Sequence, residues 1–379
     1  MDDLSPIEAA ILAQIARDPF VGQHEMAGRL DIARSTVAAH VAALTRKGHI
    51  LGRGYVLPAA RRVVCLGGAV LDRRFRAARP LVRGASNPAT AVHAHGGVAR
   101  TVAETLALLG HETGLVSAVG DDETGRAILS HLRARGVDVS QVRVSGRHAT
   151  AEYCAILSPD GALDTGIADM DIFGELTPDR LDRARSHLVG ATLVFCDGNP
   201  PAETLDALIA NRRDARHMLA IDPASPHKAG RLPADLSGLD VLFVTVDEAN
   251  ACLSAGHPAT PDGAAAAAAS LRDRGAGAVV LAVGDGGLCV AGAEGTTHLP
   301  ALPDRAAGTP GPGTAITAGT LHALLGGAPL TEAARTGMHL AGLTAAADAP
   351  VRADLSPSLL DRHRPRDGAP LPLTGDPVP

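Results

Sequence analysis

GGVARTVAETLALLGHETGLVSAVGDDETGRAILSHLRARGVDVSQV, residues 96–142, carries the pattern that decides the fold of this 379-residue chain. Its centre, TGLVSAV, is a short apolar run of the kind that becomes a buried strand, and helix-like segments flank it. Similar runs recur at VVCLGGAV before it and at ATLVFCDG, HMLAIDP, LDVLFVTV and AVVLAVG after it. Strands alternating with helices bury both faces of a parallel sheet, so the spacing predicts a doubly wound α/β domain. Two intervals break the rhythm: residues 73–95, and the strand-rich ATAEYCAILSPDGALDTG at 149–166 with its turn at Pro159 to Gly161. They are expected to form a small lid-like sheet. The alanine run at 264–269 reads as a helix capped by Asp262 and ended by LRDRG. From about Asp354 the chain becomes Pro- and Arg-rich without period, which predicts a flexible tail over 354–379.

Working outward to the N-terminus, residues 5–18 place Ile7, Ile11, Leu12 and Ile15 at helical spacing behind Ser5, a good N-cap. QHEMAGRLD predicts a second helix with Met26 and Leu30 inward. IARSTVAAHVAALTRKG predicts a third, with Val37, Val41 and Leu44 on one face and Gly48 at its end. HILGRGYVLP then reads as two short β-like runs turning at Gly52 to Gly54. Three helices and a wing in residues 1–60 predict a winged helix-turn-helix. The third helix would enter the major groove with Arg34, Ser35, Thr36 and His40, while Lys47 and Arg53 would meet phosphates. The rival reading is a small helical interaction domain with solvated polar residues.

Composition narrows the setting. With 46% hydrophobic and 20% charged residues the chain is globular, and a net charge of -6 means that any DNA contact must come from a local patch. The five cysteines have neither metal-ligand spacing nor a disulfide pattern, and four read as buried thiols in strand-like runs. MDDLSPIEAAI lacks the features of a signal peptide, and no apolar stretch reaches the roughly 18 residues of a membrane span. A cytoplasmic protein without a membrane partner is expected.

The segment 96–142 resembles the N-terminal signature of the ribokinase-like, or phosphofructokinase-B, family of carbohydrate kinases, and the resemblance covers roughly residues 62–350. LGGAVLDRRF, SNPATAVHAHGGVAR, IADMDIF and VFCDGN look closest to its pseudouridine kinase branch. Leu4 to Pro58 looks like the winged helix-turn-helix of bacterial transcriptional regulators. The family resemblance implies ATP and Mg²⁺ as the phosphoryl donor system and a sugar or nucleoside as the acceptor. It also implies a carboxylate for sugar hydroxyls at Asp72, a neighbouring substrate contact at Asn87, and close backbone approach at Gly96 and Gly97. The nucleotide-side turn would fall at Gly284 and Gly287, in GDGG. His93 and His95, two apart, read as surface histidines rather than metal ligands, and no metal site is expected from the residues themselves.

Several positions depart from that pattern. Thr101 stands where the family has a sugar-binding Asn. The family's Asn-x-x-Glu is expected at Val246 and Ala249, neither of which can coordinate a cation, although Asp247, Glu248 and Asn250 could substitute after a small register shift. The family's Gly-Ala-Gly-Asp becomes Gly311-Pro312-Gly313-Thr314. Gly311, Gly313 and Thr314 could still form an anion hole at a helix start, but a threonine hydroxyl is no general base near neutral pH. The sequence therefore predicts a ribokinase-like domain over 62–353 that binds a sugar or nucleoside with weak or absent kinase activity, fused to a DNA-binding unit in a homodimeric regulator. The alternatives are a working ATP-dependent kinase acting on a ribosyl primary hydroxyl, and a degraded domain that only dimerises the winged helix.

Overall fold

A computed structural model describes residues 4–19, 21–52, 62–212, 215–301, 312–345 and 349–362. The N-terminal unit contains α1 (Pro6–Arg17), α2 (Gln23–Leu30) and α3 (Arg34–Arg46). Ser5 caps α1: its hydroxyl accepts the Glu8 amide at 3.2 Å, and Glu8 Oε2 accepts the Ser5 amide at 2.8 Å. This reciprocal box satisfies two amides that a helix start otherwise leaves open. Ile11, Ile15, Met26, Val37, Val41 and Leu44 form the core of the unit, while Ile7 in the first turn stays exposed. Residues 49–52, the first part of the expected wing, form no strand, and the rest of it lies outside the described residues.

The second unit is built on a nine-stranded mixed sheet. Its strands are β1 (Val63–Leu66), β4 (Thr113–Gly120), β5 (Val137–Ser145), β8 (Leu193–Asp197), β9 (Met218–Asp222), β10 (Val241–Thr245), β11 (Val279–Ala282), β12 (Leu288–Gly292) and β13 (Gly295–Leu299). Their order is β13-β12-β11-β10-β9-β8-β1-β4-β5, parallel except for the antiparallel hairpin β12–β13 at one edge. All six strand-like runs of the sequence are strands of this sheet. β1 shows why a continuous apolar run was needed: Val63 and Cys65 enter one core, Val64 and Leu66 the other.

The first core is covered by α4 (Val98–Leu108), α5 (Glu123–Ala134), α12 (Pro312–Leu325), α13 (Leu330–Ala345) and α14 (Pro357–Arg362). The second is covered by α6 (Pro178–Arg183), α7 (Arg185–Val189), α8 (Ala202–Asn211), α9 (Pro226–Ala229), α10 (Val246–Leu253) and α11 (Pro261–Asp273). Two details correct the sequence expectations. Thr260, not Asp262, caps α11, because its hydroxyl accepts the Gly263 amide. The chain beyond Asp354 does not become a tail at once: α14 places Leu359 and Leu360 in the core, since two adjacent leucines suffice to dock one helical turn. Residues 363–379 lie outside the described residues.

The two interrupting intervals do form a separate four-stranded sheet. Its order is β3-β2-β6-β7, made of β2 (Val70–Ala77), β3 (Ala89–Gly96), β6 (Glu152–Leu157) and β7 (Leu163–Asp169). β2 leaves directly from the end of β1, so the lid is hinged at the Gly67–Gly68 bend.

Arg62 anchors the start of the second unit: almost fully buried, it donates to Glu112 and Asp138 at 2.7 Å and meets His187 Nδ1 at 3.0 Å. His187 lies on α7, and the next turn of chain carries the contact with the N-terminal unit. Gly48, at φ +75°, sits so close to Gly190 that a Cβ on Gly48 would fall 2.3 Å from the Gly190 nitrogen. A Cβ on Gly190 would fall 2.5 Å from the Gly48 carbonyl oxygen. Two glycines are therefore required for this backbone-to-backbone docking. Gly190→Ala should separate the units while sparing the fold, because Gly190 itself has ordinary right-handed helical angles. Release of the N-terminal unit by limited proteolysis should accelerate on the order of tenfold, as an interface loss of about 1.4 kcal/mol implies; an unchanged rate would rule the docking out.

Candidate active site at the switch point of the sheet

In an open α/β sheet, ligands bind where successive connections depart in opposite directions. That place is the end of β1, whose neighbours are β4 on one side and β8 on the other. Asp197 ends β8 there with no exposure to solvent. Its Oδ2 accepts the amides of Gly68 at 2.9 Å and Ala99 at 3.0 Å, and its Oδ1 accepts the amide of Asn199 at 2.9 Å. The Ala99 amide belongs to the first turn of α4, so a carboxylate of the protein occupies that positive helix end. A Cβ on Gly67 would fall 2.1 Å from Asp197 Oδ1, which explains the glycine at the bend.

Asp72, Gly96 and Gly97 come together as expected. Asp72 lies on β2 opposite Ala94, and a Cβ on Gly96 would collide with its carboxylate at 2.2 Å. Gly97, at φ +92°, packs on the Gly68 carbonyl, where a Cβ would fall at 2.3 Å. The glycine pair is thus demanded by the protein's own Asp72 and bend. Burial raises the Asp72 carboxyl above its ordinary value, and Arg74 and Arg100 oppose that rise. Thr101 is buried one turn into α4, where its hydroxyl oxygen accepts from Arg100. Arg100 is itself buried and forms an ion pair with Glu104, whose other oxygen meets His131 at 2.8 Å. His95 is partly buried and packs edge-on against His131 at 4.9 Å, while His93 is exposed.

Other expected residues lie elsewhere. Asn87 spends its amide on its own loop, accepting from the Val82 amide and donating to the Val82 and Ala85 carbonyls at 3.0 Å. In this conformation its amide holds the 82–87 turn. Lys47 faces Glu8, with its ammonium 2.9 and 3.0 Å from the two carboxylate oxygens, because a buried carboxylate needs a counter-charge more than a solvated phosphate does. Lys47 and the Ser5 amide together hold the Glu8 carboxyl down at about 2. Arg34 and Ser35 remain exposed on the first turn of α3, with Thr36 and His40 partly exposed. Arg53 and Gly311 lie outside the described residues.

A cavity of about 190 Å³ lies beside the switch point, under the first turn of α12. Gly313 and Thr314 line it, together with Asp222, Thr245, Glu248 and Thr317. Val246 and Ala249, where the metal-organising pair was expected, have side chains buried in the second core, whereas Thr245 and Glu248 line the cavity and close a second capping box. Gly284 and Gly287 form the turn between β11 and β12, and Ala282 and Leu288 on either side of it reach the cavity wall. A Cβ on Gly287, at φ +92°, would fall 2.1 Å from the Leu299 carbonyl oxygen.

Asp222 ends β9 in register with Asp197 on β8. Its Oδ2 accepts the Thr317 hydroxyl at 3.0 Å and its Oδ1 the Ala224 amide at 2.9 Å. Burial, then the charge of Glu248, push its carboxyl up from 3.8 to about 7. Lys228 stands between these acids and donates to Asn199 Oδ1 at 2.7 Å, its ammonium disfavoured by burial and supported by Asp197. Asp197, Asp222, Lys228 and Thr317 were not singled out in the sequence. The available signal was positional: VFCDG, AIDP and VTVDE each put an acid at the end of a strand-like run, where a parallel sheet presents its ligand groups.

These features define a ribokinase-like α/β fold with a lid and a cavity at a helix start. Residues 60–350 match the pfkB family carbohydrate kinase model and residues 4–50 a winged helix-turn-helix DNA-binding model. The chain belongs to the pfkB family of carbohydrate kinases, with a winged helix-turn-helix domain ahead of it. It is 37% identical over 242 residues to the uncharacterized sugar kinase YeiI of Escherichia coli, covering 64% of this chain and 66% of that one. It is 27% identical over 274 residues to the pseudouridine kinase of Escherichia coli, covering 72% and 87%. The structure of a carbohydrate kinase from Agrobacterium tumefaciens superposes with a TM-score of 0.69 at 30% identity, over 80% of this chain and 96% of that one.

Because Asp197 holds three amides from three segments, Asp197→Asn should cost about 2–4 kcal/mol by setting an NH₂ against an N–H donor in a dry site. A lowered denaturant midpoint with unchanged slope would show it; a midpoint equal to wild type would contradict the pinning role.

Proposed function

We propose that residues 62–353 bind a sugar or nucleoside and report it to a DNA-binding unit in residues 1–60, with phosphoryl transfer weakened by the loss of the family's base at Thr314. The observation that carries this is the contrast within one site. The sugar-side group of Asp72, Gly96 and Gly97 is assembled, while the first turn of α12 offers Gly313 and Thr314 but no carboxylate at the base position. Losing a positioned base sacrifices about 10²–10⁴ in rate and leaves binding energy untouched. The pseudouridine kinase and sugar kinase relatives favour a ribosyl ligand. Arg34 and Ser35 on the exposed turn of α3 suit a groove, and such readers act on two-fold sites, so two copies are expected on DNA.

ATP and Mg²⁺ would be the donor system, supplying the transferable phosphoryl group and neutralising its charge. Glu248 suits a phosphate-bound magnesium, which keeps most of its shell as water and phosphate oxygen and needs one or two carboxylates. No group of three or more His, Cys, Asp or Glu side chains among the described residues forms a protein cage for a metal. Gly284, Gly287 and the amides at Gly313 and Thr314 would face the phosphates.

A working kinase is a second reading, favoured by one specific observation: Asp222 and Glu248 share the cavity with Thr314. Coupled detection of ADP with pseudouridine, inosine and ribose separates the two. The expected wild-type turnover lies about 10²–10⁴ below that of an intact relative, and Thr314→Asp raises it about tenfold or more. Fast wild-type turnover lost in Asp72→Ala would establish the kinase instead.

DNA binding by residues 1–60 predicts a gel shift on the chain's own upstream DNA that weakens steeply with salt, as released counterions require. Arg34→Ala should weaken it at every salt concentration. Lys47→Met should instead lower the thermal midpoint of the unit by removing the Glu8 partner, about 1 kcal/mol of loss. Ligand should shift operator affinity in wild type and not in Asp72→Ala; identical affinities with every ligand that binds would sink the coupling.

A further inference from the structure

Thr314 cannot take a proton, yet the cavity beside it is not without a proton acceptor. Asp222 projects from the end of β9 into the same cavity as Gly313 and Thr314, and keeps part of its surface accessible there. Thr317, one turn into α12, links the two: its hydroxyl donates to Asp222 Oδ2 at 3.0 Å and lies 3.4 Å from the Gly313 carbonyl oxygen. The other oxygen of Asp222 accepts the amide of Ala224, a non-glycine residue at φ +65°. Left-handed backbone at a residue with a Cβ is strained, and such strain persists where surrounding contacts hold a functional group in place.

We propose that Asp222 accepts the substrate's hydroxyl proton in the residual phosphoryl transfer of this chain, in place of the family's base at position 314. The inference rests on the ligand-binding reading above. The hydroxyl oxygen of the sugar or nucleoside forms its bond to the γ-phosphorus of a nucleoside triphosphate as the bond from that phosphorus to the bridging oxygen breaks. The nucleoside diphosphate leaves with the electron pair, and the hydroxyl proton passes to Asp222 and then to water. Four groups face the carboxylate: Asp197 from β8, Glu248 from α10, Lys228 from α9 and Thr317 from α12. Burial, then Glu248 and Asp197, raise its proton affinity, while the Ala224 amide and Thr317 lower it.

The test uses the full chain with MgATP and a panel of pseudouridine, inosine and ribose, with ligand binding followed by calorimetry and turnover by ADP release. Expected are a slow but measurable wild-type turnover, a drop of about tenfold or more in Asp222→Asn, and recovery when Thr314→Asp is added to that variant. Recovery matters because it shows that Asp222→Asn still folds and binds. An Asp222→Asn rate within threefold of wild type, or a double variant as inactive as Asp222→Asn alone, would each overturn the proposal. Ligand binding without any ADP release would overturn it and leave the ligand-binding reading standing; absence of binding by the whole panel would overturn that reading and the proposal together.

Discussion

The structure of the site depends on one buried carboxylate. Asp197 gathers amides from the end of β1, from the start of α4 and from the turn after β8 at one point. A charge with no exposure to water is tolerated only when its lone pairs are filled, and these three donors together with the nearby Lys228 meet that condition. The bend at Gly67–Gly68, the hinge of the lid and the placement of Gly97 against the Gly68 carbonyl all follow from this fixed point.

Around it the parallel sheet sets a row of acids. Asp197 and Asp222 end adjacent strands in register, and Glu248 follows from the first turn after β10. Burial raises the proton affinities of Asp222 and Glu248, with Glu248 adding to the rise at Asp222 and Asp247 to that at Glu248, and Lys228 stands among the acids. On the function proposed above, these acids would sit beside a polyanionic ligand carrying its own metal ion, with Thr314 in place of a further acid.

The N-terminal unit shows the same logic at the scale of the whole molecule. It touches the second unit through Gly48 and Gly190, at the C-terminal end of α3, and α7 is in turn held by Arg62 through His187. The exposed turn at Arg34 lies at the other end of that helix, roughly 20 Å away. Docking therefore leaves Arg34 and Ser35 exposed.

Much of this was legible in the residues alone. Six apolar runs became six strands, the two irregular intervals became the lid, and Ile11, Val37, Val41 and Leu44 became the core of the first unit, because burial acts on period and composition, which are local properties of a sequence. Asp72 with Gly96 and Gly97 came from the family resemblance, and their nearness follows from the direct pairing of β2 with β3. What the sequence could not decide was where polar side chains spend their hydrogen bonds. Lys47 turned to Glu8, 39 residues away, Asn87 turned to its own loop, and Thr245 and Glu248 paired in a helix cap. Asp222 and Thr317 stand 95 positions apart, and only the packing of α12 over the ends of the strands joined them. Apolar pattern is enough to say which residues leave water, but the partner of a buried charge is chosen among all groups the fold brings near, and that set exists only in the tertiary structure.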